Sequence, residues 1–75
     1  MAKLPDLTSK ELIAALSKIG FESVRQKDSH VMMKHEDGRV VTIPVHSGKT
    51  LGKGLLLKIL RDTDLTKEQL IDLLA

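Results

Sequence analysis

The core of this protein must be built from aliphatic side chains, because its 75 residues include a single aromatic residue, Phe21, and no cysteine. The lack of cysteine excludes a disulfide framework and a thiolate metal site. A chain of this length buries only about 60–65% of its unfolded surface, which is too little for two separate cores. We therefore expect one domain over residues 1–75 and exclude large multilayer enzymes.

Charge is distributed unevenly along the chain. Residues 25–61 hold eight Lys or Arg against three acidic residues, a net charge of +5, whereas the rest of the chain carries −3. Such asymmetry favours one surface that meets an anion, and a nucleic-acid backbone is the commonest anion of that extent. A basic surface that is merely solvated is the alternative.

The sequence predicts no membrane segment. No apolar run approaches the roughly 18 residues that a transmembrane helix needs. Residues 1–6 also lack the apolar core of a signal peptide. We therefore expect a protein of the reducing cytoplasm.

Three segments have helical spacing of their apolar residues. Thr8 and Glu11 fit a capping box that starts a helix over residues 9–19, and Gly20 suits the left-handed position after its last turn. A second helix is predicted over residues 52–61. Thr66 to Gln69 form a second capping box, which starts a short third helix.

The region between the first two helices is typical of strands, which we place at residues 22–27, 29–35 and 39–45. A two-residue loop at Asp37-Gly38 would divide the apolar residues poorly between the two faces. A three-residue loop, with Gly38 in the left-handed position, pairs Met33 with Val41 and Val31 with Ile43. We prefer this second register, which gives one apolar face and leaves His30 on the open face or at its margin.

The order of elements predicts an α+β domain of the α-β-β-β-α type. Short connections favour a three-stranded antiparallel sheet with the two main helices packed on one face. This arrangement matches the double-stranded-RNA-binding fold. Because a fold does not establish a function, the chemistry must be argued from particular residues.

Histidine is the natural candidate for proton transfer, because its ordinary pKa lies near neutrality. The chain has His30, His35 and His46, whose spacing matches no metal-ligand pattern, so we expect no metal site. Ser29 and His30 are neighbours on one strand and point to opposite faces, which excludes a local serine-hydrolase site. Asp28, taken alone, is most simply a turn residue between the first two strands.

The segment Gly48-Lys49-Thr50 resembles the tail of a phosphate-binding P-loop, but Ile43 occupies the place of the glycine that the motif requires. We regard that match as accidental. Lys49 and Lys53, together with amides near the start of the second helix, would contact phosphate, or else they only keep a loop solvated.

Three stretches of the chain, residues 24–30 (VRQKDSH), 41–46 (VTIPVH) and 51–56 (LGKGLL), resemble the HicA, or YcfA-like, family. This resemblance implies an mRNA-cleaving toxin of a type II toxin–antitoxin system, neutralised by a HicB-like antitoxin. It also implies that His30, in the family's Gly-Ser-His signature, is the catalytic residue. Asp28 stands where the family usually has glycine, and Val31 stands where many members have a second histidine.

RNA carries its own nucleophile, the 2′-hydroxyl, so a lone histidine is compatible with cleavage and no metal or other cofactor is expected. The candidate RNA contacts are Arg25, Lys27, Ser29, Lys49 and Lys53. We expect the antitoxin to cover His30 and its basic surroundings, and the free toxin to be a monomer.

Two other functions fit the same residues. The domain could bind structured RNA without cutting it, with His30 as a contact or a structural residue. It could also be a protein-binding adaptor, with Met32 and Val40 exposed at an interface and the basic residues facing an acidic partner. Cleavage that depends on His30 distinguishes the toxin from both.

Overall fold

The computed structural model describes residues 4–45 and 49–74. The elements follow in the order α1 (Ser9–Ser17), β1 (Glu22–Lys27), β2 (His30–Lys34), β3 (Val40–Pro44), α2 (Lys53–Thr63) and α3 (Lys67–Leu74). The three strands form one antiparallel sheet in the order β1-β2-β3. The predicted α+β class and the α-β-β-β-α order are confirmed. No helix in the described ranges is long and apolar enough to cross a membrane.

Helix α1 begins at the predicted capping box. The Thr8 hydroxyl accepts a hydrogen bond from the Glu11 backbone N–H at 3.2 Å, and Glu11 Oε1 accepts one from the Thr8 N–H at 3.0 Å. The helix ends at Ser17, two residues earlier than predicted, because the N–H groups of Lys18 and Ile19 bond three residues back and tighten the last turn. Gly20 then has a φ of +99°, as the sequence predicted.

The hairpin of β2 and β3 has the three-residue loop that the sequence favoured. The Gly38 N–H donates to the His35 carbonyl at 2.9 Å, and Gly38 has a φ of +100°. Met33 lies opposite Val41 and Val31 opposite Ile43, and all four side chains are buried. One face of the hairpin is therefore apolar and covered, and the other is open.

The second half of the chain supplies two of the three described helices that cover the apolar face of the sheet. Helix α2 packs against β3 and α3 against α1, so the helices lie on the apolar side of the sheet. Helix α2 runs two residues past its predicted end, to Thr63, whose buried hydroxyl donates to the Ile59 carbonyl at 2.8 Å. Asp64, with a φ of +57°, then ends the helix. Thr66 and Gln69 form the second predicted capping box.

The core is aliphatic apart from Phe21, as expected from the composition. Its fully buried members come from the first helix, the sheet and the last two helices, and they include Leu12, Leu16, Met33, Ile43, Leu56, Ile59 and Leu70. Strand β1 contributes none of them, because all six of its residues are exposed.

Polar side chains around Phe21, which we call the Phe21 cluster, connect the end of α1, the β2–β3 hairpin and the end of α2. The half-buried His35 donates from Nε2 to the Ile19 carbonyl at 2.9 Å, and its ring meets Phe21 edge-on at 5.1 Å. The Arg39 guanidinium lies 5.2 Å from the centre of the Phe21 ring and also donates to the Thr63 carbonyl. Hydrogen bonds from the Arg39 backbone N–H and then from its guanidinium lower the pKa of the Asp37 carboxyl. Because the His35 ring is held by the Ile19 carbonyl and the Phe21 ring, His35 has a structural role.

Two glycine substitutions test how this cluster is packed. Gly20→Ala and Gly38→Ala both place a side chain at a positive φ, which costs about 1–2 kcal/mol. A Cβ at Gly20 would also lie 3.0 Å from His35 Nε2, whereas a Cβ at Gly38 meets nothing within 4 Å. We expect Gly20→Ala to lower the free energy of unfolding by about 1–3 kcal/mol more than Gly38→Ala does, as measured by urea denaturation. Equal losses would contradict the described contact.

Candidate functional site

A bulge in β1 decides which of its side chains reach the open face of the sheet. Ser23 pairs with Met33, but the next pair is Arg25 with Met32, so Val24 is an extra residue without a partner. In a regular strand Arg25 would lie on the same side as Ser23, facing the helices. The bulge shifts this alternation, and Arg25 and Lys27 lie on the open face instead.

The turn between β1 and β2 holds the next two candidate residues. Lys27 pairs with His30, which leaves Asp28 and Ser29 as a two-residue turn. Strand β2 therefore begins at His30 rather than at the predicted Ser29. Asp28 has a φ of +55°, a conformation that glycine adopts without cost and that Asp tolerates better than most residues. The predicted turn role of Asp28 is confirmed.

The turn is joined to the end of β3. The Ser29 carbonyl accepts a hydrogen bond from the Val45 N–H at 2.5 Å, and His30 lies opposite Pro44. His30 is thus the first residue of a strand with a partner on either side, and its backbone position is fixed by the sheet. Its side chain is exposed.

Five side chains of the open face line one cavity of about 180 Å³, which we call the open-face cavity: Arg25, Lys27, His30, Met32 and Thr42. They form two rows across the sheet. Lys27 and His30 are opposite each other in one row, and Arg25, Met32 and Thr42 lie side by side in the next. The sheet therefore brings together three of the predicted catalytic or RNA-binding residues, namely Arg25, Lys27 and His30.

The spacing of these rows places two cations near His30. Residues directly opposite on neighbouring strands have Cβ atoms about 4.5–5.5 Å apart, which applies to Lys27 and His30. Arg25 is diagonal to His30, at roughly 7–8 Å, within reach of a long side chain. A phosphate above His30 could contact both cations. The His30 imidazole can accept or donate a proton at such a phosphate.

Lys49 and Lys53 lie elsewhere. Thr50 forms a bridge with Thr8, and Lys53 is the first residue of α2, which packs on the covered side of the sheet. Both lysines are exposed, but neither lines the open-face cavity. The structure thus divides the predicted RNA contacts into a group around His30 and a second group near the start of α2.

The other two histidines are not brought to the open-face cavity by the described part of the chain. His35 is bound within the Phe21 cluster. His46 and Gly48 lie outside the described residues. Sequence reasoning missed the bulge at Val24, because nothing in residues 22–27 indicated it. The preferred hairpin register did place Thr42 on the same face as His30, as the structure shows, but Thr42 was not among the candidate site residues.

Comparison with known proteins gives one family. A family model described as HicA toxin of bacterial toxin-antitoxin matches residues 9–65. The matched range runs from the first residue of α1 to just beyond α2 and contains every residue that lines the open-face cavity. No curated protein matches the chain.

Proposed function

This chain belongs to the HicA toxin family of bacterial toxin–antitoxin systems, and we propose that it is an endoribonuclease that cleaves messenger RNA with His30 as its catalytic residue. The observation that carries the proposal is the position of His30. It is exposed at the start of β2, with Lys27 opposite and Arg25 diagonal to it on the same open face.

The proposed reaction uses the 2′-hydroxyl of the RNA as its nucleophile. In one form of the step, His30 accepts the 2′-hydroxyl proton as the 2′-oxygen bonds to the adjacent phosphorus, and water protonates the 5′-oxygen as its bond to phosphorus breaks. In the other form, His30 donates the proton to the departing 5′-oxygen, and water accepts the 2′-hydroxyl proton. The products are a 2′,3′-cyclic phosphate and a free 5′-hydroxyl. Proton transfer by one positioned side chain supplies roughly 10²- to 10⁴-fold. With a single histidine we expect slow turnover, which is sufficient for a toxin that arrests translation.

The cations have different roles in this proposal. Lys27 and Arg25 stabilise the negative charge that grows on the scissile phosphate, because the two strand rows place them nearest His30. Lys49 and Lys53 bind the RNA backbone further along the strand. Ser29 lies in the adjoining turn, where its exposed hydroxyl can contact a flanking phosphate.

We propose a HicB-like antitoxin as the partner and the cytoplasm as the place of action. An antitoxin that blocks the reaction must cover His30 and the cations beside it. An acidic segment that enters the open-face cavity would do so by replacing the phosphate. We expect the free toxin to be a monomer.

The role of His30 is tested by its substitution. We expect His30→Ala to reduce cleavage of a defined messenger RNA by at least about 100-fold in the presence of a chelator, because proton transfer is lost. Lys34→Ala is the matched control: it changes an exposed residue of the same strand and the same face that does not line the cavity. Both variants are checked for folding by circular dichroism.

Equal cleavage by the native chain and His30→Ala would move the active site elsewhere or expose a contaminating nuclease. Binding of RNA without cleavage by the native chain would favour the RNA-binding module. Failure to bind RNA at any salt concentration would favour the protein-binding adaptor.

The different roles proposed for the basic residues, in catalysis or in RNA binding, can be measured separately. We expect Lys27→Ala and Arg25→Ala to lower kcat by about tenfold or more, because they remove charge stabilisation at the reacting phosphate. Lys49→Ala and Lys53→Ala should instead weaken binding, each reducing the slope of log affinity against log salt by about 0.7. A larger loss of kcat in the Lys49 and Lys53 variants than in the Lys27 and Arg25 variants would contradict this assignment.

Asp28 adds a negative charge beside the proposed phosphate site. We expect Asp28→Asn to raise kcat/KM about two- to threefold at low ionic strength, because it removes repulsion of the phosphate over roughly 8 Å. The gain should vanish at high salt. Asp28→Gly is the second variant, since glycine also suits the positive φ of the turn. A gain with glycine but none with asparagine would show that backbone conformation, not charge, limits the rate.

A further inference from the structure

The proposed reaction uses His30, Lys27 and Arg25, but it leaves two residues of the open-face cavity without a role. We propose that Met32 and Thr42 hold one unpaired base of single-stranded RNA, belonging to a nucleotide that flanks the phosphate at His30. This inference rests on the proposed function for the position of that phosphate.

The geometry of the sheet places Met32 and Thr42 one nucleotide away from His30. Met32 is two residues beyond His30 on β2, and Thr42 lies directly opposite Met32 on β3. Two residues along an antiparallel strand span roughly 6.8 Å, which is close to the length of one nucleotide. A strand of RNA with its phosphate at His30 can therefore lay a neighbouring base over this second row.

Met32 offers an apolar contact for the face of a base. It is half-buried in the middle strand, so the side chain is held by its neighbours while part of it faces the cavity. A thioether is polarizable and makes favourable contacts with aromatic rings. The chain has no Tyr or Trp, and Phe21 is buried, so a stacking platform of aromatic residues cannot serve this purpose.

Thr42 offers a hydrogen bond to the edge of the same base. Its side chain is exposed on β3, and its hydroxyl can both donate and accept. The hydroxyl of Thr63, by contrast, is buried and bonded within α2. Arg25 closes the other end of the row, where its planar guanidinium can contact the phosphate or the base.

The same features favour a single strand over a duplex. In a duplex each base is stacked on its neighbours and paired at its edge, so its face cannot rest on Met32. A cavity of about 180 Å³ bounded by charged residues on one side takes one base rather than a base pair. In-line attack by the 2′-hydroxyl also requires a nucleotide that is free to leave the regular helix.

The test measures binding, so that it does not depend on cleavage. The probes are short 2′-O-methyl RNA homopolymers of each base, which lack the nucleophile, together with an abasic strand and a duplex of the same length. For the native chain we expect the best homopolymer to bind several-fold more tightly than the abasic strand. Met32→Ala should weaken binding of that homopolymer roughly two- to tenfold and leave the affinity for the abasic strand and for the duplex unchanged.

Thr42→Val keeps the shape of the side chain and removes the hydroxyl. We expect it to weaken binding of the homopolymer of the preferred base roughly two- to tenfold, and so to reduce the differences in affinity among the four homopolymers. Val40→Ala is the matched control, since Val40 is exposed on the same strand and face but does not line the cavity. It should bind every probe as the native chain does.

Three results would overturn the inference. The native chain could bind the abasic strand as tightly as every homopolymer, the two cavity variants could weaken all probes equally, or Val40→Ala could have the same effect as Met32→Ala. If only the proposed function is wrong, cleavage does not depend on His30, but binding of the uncleavable probes still depends on the base.

Discussion

The register of the β2–β3 hairpin is the constraint on which the rest of the molecule depends. The left-handed Gly38 permits a three-residue loop, and that loop sets Val31 and Met33 against the helices. A slip of one residue would exchange the two faces of a strand, burying His30 and exposing the core. Core formation and the placement of His30 are thus two consequences of one pairing. The pairing that buries the core therefore also holds His30 on the open face.

Strand β1 adds the charge that this pairing alone does not provide. None of its side chains is buried in the core, so the residues of β1 can be charged without disturbing the core. The bulge at Val24 brings Arg25 and Lys27 to the same side as His30, at no cost to the apolar layer. The Asp28–Ser29 turn then sets Lys27 directly opposite His30. The proposed active site is accordingly formed by the open face of the sheet and not by the helices.

Local signals made much of this fold predictable from the sequence. Both capping boxes and the hairpin loop depend on residues at most a few positions apart, so the pattern Thr8 to Glu11 or Asp37-Gly38 is sufficient to indicate them. The bulge could not be predicted, because it follows from how β1 fits β2 and residues 22–27 carry no glycine to mark it. The separation of Lys53 from His30 depends on helix packing across the sheet, which short-range patterns do not encode.

One measurement tests the central claim, that the open face of the sheet and not the helical side receives the RNA. It is a titration of the isotope-labelled protein with an uncleavable 2′-O-methyl RNA strand, followed by amide chemical shifts. The account predicts the largest changes at Lys27, His30, Met32 and Thr42, with smaller ones near Lys53. Changes confined to α1 and α2, with the open face unperturbed, would contradict it.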